Sequence, residues 1–260
     1  MWGTELIADV ERWVKAGDLD GARQRLADML HATGVDGFTR AARGGFSNPP
    51  DEVRRWLQRC AGLLTEREGE YAALYTEMNG YTINPDHWSA GLEAWSVPID
   101  DFETLDDSGQ ADFPLHYRED LTLRGWASMQ ASFERYVGEH APRSEEVAAA
   151  RAIADLLVHV AFLRLIRDAW MAGPIVGVSV PLAVTTHDST LGIVLQPLAS
   201  RAPDARVLPP AFAELVASGG DGQTTRGAGD GNRTRMTSLE GWGSAIELRP
   251  RAPVPGTGPG

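Results

Sequence analysis

The sequence predicts an α+β protein that is mainly helical and carries a small antiparallel sheet. Three observations predict it. A helical stretch at about 144–172 is apolar on nearly every side, as a helix at the centre of a core must be. Most of residues 1–80 repeats its apolar positions with helical spacing, and residues 175–196 alternate in the manner of a strand hairpin.

The chain of 260 residues is expected to form one globular domain at 1–220, followed by a tail at 221–260. Hydrophobic residues make up 43% of the sequence, which is enough for a sizeable core. We distinguish a helical part at 1–80 from a mixed α/β part at 81–220. The tail is crowded with glycine, proline and arginine and has no sustained period, so we expect it to be disordered.

The predicted central helix has recognisable ends. Ser144 is a suitable N-cap, and Gly173 followed by Pro174 stops the helix. At the usual rise per residue the helix would extend roughly 40 Å, enough to cross a small domain. We therefore expect it to be the most buried element of the fold, with five nearly inaccessible side chains: Leu156, Leu157, Val160, Leu163 and Ile166.

The N-terminal region predicts two shorter helices at 4–16 and 19–32, with Asp18 as the N-cap of the second. The glycine-rich segment 34–47 is predicted to be a loop.

A longer helix is predicted at 49–78, with Asn48 as its N-cap and Pro49 at its first position. Its apolar residues follow alternating spacings of four and three, which form a heptad-like seam: Val53, Leu57, Cys60, Leu64, Tyr71, Leu74 and Met78. Two interpretations remain open. The seam packs against another helix of the same chain, or it forms a homodimer.

The middle of the chain changes character at 81–97, where aromatic and polar residues alternate. Asn84 followed by Pro85 and Asp86 predicts a turn with a short strand on either side. Residues 98–113 hold six acids and are predicted to be a solvated loop, and a helix of moderate length is predicted at 123–137.

Two half-buried strands are predicted after the central helix, at 175–185 and 191–195. Pro181 cannot donate a backbone hydrogen bond, so the first strand is expected at an edge of the sheet or with a bulge. One face of that strand is apolar at every second residue: Val176, Val178, Val180, Leu182 and Val184.

The charge of the chain restricts its partners. The formal net charge is −12, and such a surface repels nucleic acid and anionic membranes but suits a basic protein. No segment has the length and apolar character of a membrane span, and the N-terminus lacks the features of a signal peptide. Cys60 is the only cysteine, so an internal disulfide and a cysteine-based zinc site are both excluded. A cytoplasmic protein is the expectation.

Three pairs of side chains are candidates for acid–base or metal chemistry. Asp155 and His159 are four residues apart, so they share one face of the central helix, where a structural pairing that includes Arg151 is the alternative interpretation.

The second pair is His187 and Asp188, which lie with Ser189 in the loop that connects the two late strands. A catalytic triad needs these groups to converge from separate segments, so neighbouring residues are a weak signal. The third pair is His87 and Glu93, which lie among the aromatic residues of 81–97.

The common catalytic motifs are absent from the sequence. We find no Gly-x-Ser-x-Gly, no His-Glu-x-x-His, no phosphate loop and no dinucleotide fingerprint. No cofactor and no metal ion is therefore expected.

These observations favour a non-catalytic, acidic binding protein that counters a basic protein, as immunity proteins do. The comparison is one of type, because no motif of an immunity family occurs in the sequence. The alternative function is a small hydrolase or metal-dependent enzyme that uses the histidine and acidic groups of the mixed α/β part.

The tail resembles the antisense translation of a transfer-RNA gene. Residues 230–235 can be encoded by GAC GGG AAT CGA ACC CGT, in which ACGGG and CCCGT pair as a stem around AATCGAA. Residues 237–242 can be encoded by ACC AGC TTG GAA GGC TGG, in which CCAGC and GCTGG enclose a loop whose complement carries the glycine anticodon TCC. Residues 243–248 can encode the complement of a D-arm. The resemblance covers residues 229–250 and implies that the tail was never selected as protein, so its Asn232 glycosylation sequon is an accident.

Overall fold

The fold is that of a computed structural model, which describes residues 3–68, 70–82, 84–99, 120–136, 144–187, 189 and 191–198. The chain divides into two units, Met1–Ala205 and Arg206–Gly260, and the whole of the second lies outside the described residues. The predicted tail therefore lies outside them as well, as do Asp188 and the predicted acidic loop from residue 100 onward.

The first two helices form as predicted. Helix α1 spans Gly3–Lys15 and helix α2 spans Leu19–Ala32. Asp18 caps α2, because its Oδ1 accepts a hydrogen bond of 3.0 Å from the backbone N–H of Gly21. The predicted loop at 34–47 contains one short helix, α3, at Phe38–Ala41, which is held by the fully buried ring of Phe38.

The helix predicted at 49–78 is wrong in its last third. Helix α4 spans only Pro50–Glu68, and Ala73–Met78 forms strand β1. Leu74 and Met78 are four residues apart, and this spacing puts two side chains on one face of either a helix or a strand. Spacing alone therefore could not separate the two structures, and the strand forms because it pairs with two neighbours in the sheet.

The predicted heptad seam is buried inside the chain. Val53, Leu57, Cys60 and Leu64 are each at most 1% exposed, in one core with residues of the helices and the sheet. The first interpretation of the seam is therefore the correct one. A homodimer through these residues is not supported, because their side chains already pack within the protomer.

Among the residues that the structure describes, the sheet has five strands. Strand β2 spans Ser89–Trp95, β3 Leu121–Thr122, β4 Leu182–Thr186 and β5 Ile193–Leu195. Their order is β3-β2-β1-β4-β5, and the strands β1 and β4 are parallel, with Tyr75 opposite Ala183. The other pairs are antiparallel, so the predicted antiparallel sheet is a mixed one. Two strands run parallel because the long connection between them contains two helices and crosses over.

The predicted position of β4 at an edge of the sheet is also wrong. The strand lies between β1 and β5, and it starts at Leu182, so Pro181 stands just outside it. The carbonyl of Pro181 still accepts a hydrogen bond of 2.9 Å from the N–H of Leu74. The strand does not extend back to residue 175, because Gly177 turns the backbone with a φ of 79° and leaves Val176 76% exposed.

The last two helices confirm the predicted centre of the fold. Helix α5 spans Ala127–Tyr136, and helix α6 spans Glu145–Met171 with Ser144 as its N-cap. Helix α6 packs against α1, α2, α4 and β4. Four of the five side chains predicted to be inaccessible are 0% exposed, whereas Leu156 is only partly buried.

The two faces of the sheet have different neighbours. The inner face packs into the main core with α6 and carries Leu74, Met78, Leu92, Leu182 and Val184. The opposite face forms a smaller cluster in which Ala73, Ile99 and Ala183 are buried and Tyr75, Trp95 and Val194 are partly buried.

Candidate functional site

Polar side chains gather at two places, one on each face of the sheet. We call the first the inner cluster, which consists of Tyr81, Asp155, His159, Thr186 and Ser189. We call the second the outer sheet face, which consists of Tyr75, Glu77, Glu93, Trp95 and His187.

The inner cluster is centred on the imidazole of His159, which α6 buries to 3% exposure. Its Nδ1 lies 3.0 Å from the hydroxyl of Thr186 and 3.3 Å from the hydroxyl of Ser189. Thr186 faces the helix because side chains alternate along β4, with Leu182 and Val184 on the same side. Nε2 of His159 is buried and makes no hydrogen bond within the part of the chain that is described.

Burial lowers the pKa of His159 to about 4, although the nearby backbone of Leu191 acts in the opposite direction. The ring is therefore neutral at neutral pH. Each hydroxyl can donate or accept at Nδ1, so this nitrogen of the neutral ring is satisfied, whereas Nε2 is not within the described residues.

Asp155 lies on the same helix but pairs with a different residue. The hydroxyl of Tyr81 donates to its Oδ1 and to its backbone carbonyl, both at 3.0 Å. Burial raises the pKa of Asp155, and the contact with Tyr81 and the charge of Arg151 oppose that shift. The pKa of Tyr81 is raised by burial and then by Asp155. Asp155 thus has an aromatic hydroxyl as its partner, which the pairing predicted from the helix spacing missed.

The outer sheet face is built by the alternation of β1. Tyr75 and Glu77 point away from α6, and the hydroxyl of Tyr75 donates to Oε2 of Glu77 at 2.8 Å. The other oxygen of Glu77 lies 3.2 Å from Nδ1 of His187, which follows directly after β4. Glu77 therefore connects Tyr75 of β1 with His187, the residue that follows the parallel strand β4.

The neighbouring strand β2 adds a second acid and an aromatic ring. Glu93 is the register partner of Tyr75, so both side chains leave the sheet on the same face. The ring of Trp95 lies 5.5 Å from that of Tyr75, at an angle of 44°. The outer sheet face thus combines two carboxylates with a pair of aromatic rings.

Two acidic side chains act on the hydroxyl of Tyr75. Burial raises the pKa of Tyr75 above its ordinary value, and the charges of Glu77 and Glu93 raise it further. Two carboxylates therefore act on the same hydroxyl, which is the arrangement that favours a positively charged neighbour.

The structure distributes the described candidate residues over both faces of the sheet. Asp155 and His159 lie in the inner cluster, whereas His187 lies on the opposite face. His87 is exposed in the turn before β2, and Glu93 stands four strand positions beyond Ser89, about 13 Å along the strand. The third predicted pair is therefore not formed. Instead, Glu93 and His187, which came from different pairs, share the outer sheet face.

Sequence reasoning missed Tyr75 and Glu77 as members of a site, whereas Trp95 is one of the aromatic residues of 81–97 among which Glu93 was selected. Tyr75 and Glu77 were assigned to a helix, which hid their shared face. Tyr75 and Glu77 flank Thr76, and this alternation of an aromatic, a β-branched and an acidic residue was the available signal for a half-buried strand.

Two further properties limit the chemistry of the described residues. Among them, no three histidine, cysteine or acidic side chains are placed to hold a metal ion together. None of their helices combines the length and the apolar character that a membrane span requires.

The fold and the site define an α+β protein with a small mixed sheet and an acidic, aromatic outer face. No protein-family model, curated protein or solved structure matches the chain.

Proposed function

We propose that the protein is a non-catalytic binding protein, of the kind that immunity proteins represent, and that it holds a basic partner protein on its outer sheet face. The observation that carries this proposal is the grouping of Glu77 and Glu93 around the rings of Tyr75 and Trp95. Acids provide attraction and orientation, and aromatic side chains provide much of the contact energy of protein interfaces.

The charge of the whole chain supports the same partner. A net charge of −12 attracts a basic protein over a distance and speeds its association, whereas it repels nucleic acid. Glu77 and His187 are partly accessible, at 32% and 46% of their side-chain surface, so a partner can reach them.

The proposal is tested with a double variant, Glu77→Gln with Glu93→Gln, and a peptide that mixes lysine and arginine. The wild type should bind this peptide, and the variant should bind it at least several-fold more weakly in calorimetric titration, because both carboxylates on the face are lost. The matched control is Glu134→Gln, an exposed acid on α5 that also removes a negative charge. If Glu134→Gln weakens binding as much per removed charge as the double variant does, only the overall charge of the chain determines binding.

A second candidate function is a hydrolase, because the hydroxyl of Ser189 lies 3.3 Å from Nδ1 of His159. It stands second for a structural reason. The same nitrogen also contacts Thr186, and within the described residues no carboxylate accepts a hydrogen bond from the other ring nitrogen, as one does in a catalytic triad. Treatment with a fluorophosphonate probe separates the two functions. Labelling of the wild type that disappears in Ser189→Ala would favour the hydrolase, and no labelling would remove it.

A further inference from the structure

We infer that the outer sheet face selects arginine over lysine in its partner. This inference rests on the proposed function and names the side chain that the face would take. Its basis is the position of two carboxylates beside a pair of aromatic rings.

The geometry of the face fits a planar cation. Glu77 follows Tyr75 by two residues on the same face, so the two side chains leave β1 about 7 Å apart. A guanidinium group that lies on an aromatic ring can direct its N–H edge to a carboxylate at that distance. Arginine makes both contacts at once because its donors lie in one plane, whereas the lysine ammonium is a compact point charge.

The protein already uses this contact elsewhere. Arg25 lies 4.8 Å from the ring centre of Trp13, and Arg135 lies 5.2 Å from the ring centre of Tyr136. Within the described residues, no arginine lies over Tyr75 or Trp95 in the same way. The outer sheet face thus has rings and acids like those that accompany arginine elsewhere in this chain, and no arginine of the described residues lies over its rings.

The experiment compares three acetylated peptides in which glycine alternates with arginine, lysine or glutamine. Titration calorimetry of the full chain should show that the arginine peptide binds about three-fold more tightly than the lysine peptide, which is the effect of an exposed cation–π contact. Both should bind more tightly than the glutamine peptide.

The outcomes for the wild type separate this inference from the proposed function. Equal affinity for the arginine and lysine peptides, both above that for the glutamine peptide, would overturn the arginine preference and leave the acidic binding face standing. Equal affinity for all three peptides would overturn both.

Variants of Trp95 test whether the preference for arginine arises at the outer sheet face. Trp95→Leu should bind the arginine and lysine peptides equally, and Trp95→Phe, which keeps an aromatic ring, should restore a preference. The control is Trp13→Leu, which removes a ring that Arg25 already covers and should leave the preference unchanged. A preference that persists in a folded Trp95→Leu protein would contradict the assignment to this face.

Discussion

His159 shows how one buried side chain can connect the sheet to the central helix. Its ring lies between α6 and the end of β4, where it contacts the hydroxyls of Thr186 and Ser189. A charged ring would lose its hydration at this site without gaining a carboxylate, so the neutral form is strongly preferred.

This preference predicts a stability change with pH. The pKa of His159 is lowered from 6.5 to about 4 in the folded protein, so between these values the unfolded chain binds a proton that the folded chain does not. The free energy of unfolding should therefore fall as the pH decreases through this window, by an amount on the order of 3 kcal/mol for this residue. The raised pKa of Asp155 acts in the opposite direction, so the whole-protein curve is a sum of both.

Urea denaturation at pH 7 and pH 5 isolates the histidine. His159→Gln keeps a hydrogen-bonding side chain but cannot titrate, so its stability should change less between the two pH values than that of the wild type. His87→Gln, which replaces an exposed histidine, should behave like the wild type. The same pH dependence in all three proteins would refute the role of His159.

At the scale of elements, helix α6 contributes more buried side chains to the main core than any other described helix or strand. Leu157 is fully buried in it, whereas the adjacent Leu156 is only partly buried. Replacing Leu157 with alanine should lower the free energy of unfolding by roughly 2–5 kcal/mol, because the neighbouring side chains cannot close the cavity completely. Leu156→Ala is the matched control and should lower it less. Chemical denaturation measures both, and a loss below about 1 kcal/mol for Leu157→Ala would mean that the core lies elsewhere.

The helices were predictable because their signals are local. Ser144 and Asp18 cap their helices as the sequence indicates, and the apolar residues of α6 occupy nearly every side of the helix, as expected of a buried one. The sheet was less predictable, because the partner of a strand is chosen by tertiary structure. The spacing of Leu74 and Met78 is compatible with a helix. Their strand conformation depends on pairing with β4, which is distant in sequence.

The candidate site was predictable only in part, for the same reason. His187 and Glu93 were selected as polar residues near strands, and both belong to the outer sheet face. Their partners Tyr75 and Glu77 could not be found without the parallel pairing of β1 and β4. Asp155 was selected for its spacing from His159 on the helix, but its hydrogen-bond partner Tyr81 comes from a different segment.

At the scale of the whole molecule, the tail at 221–260 is a separate question from the fold. Its resemblance to an antisense transfer-RNA gene predicts that removing it leaves the stability of the remaining chain unchanged. Thermal unfolding of the full chain and of a chain that ends at residue 220 tests this. A drop in the unfolding temperature on truncation would show that the tail contributes to the folded protein.

The genomic locus tests the origin of the tail independently. A glycine transfer-RNA gene should lie on the opposite strand under the codons of residues 229–250. Its absence would end the antisense interpretation, whatever the truncation shows.

The parallel pairing of β1 and β4 also has a consequence for synthesis on the ribosome. Leu182 leaves the ribosome about 100 residues after Met78, so β1 must wait for its parallel partner while most of the chain is still being made. Until β4 appears, β1 has only β2 as a neighbour in the sheet, so the edge that later pairs with β4 stays open. Long-range pairing of this kind folds slowly and leaves strand edges open to aggregation. Translation speed and chaperones should therefore affect the yield of this protein more than its final stability would suggest.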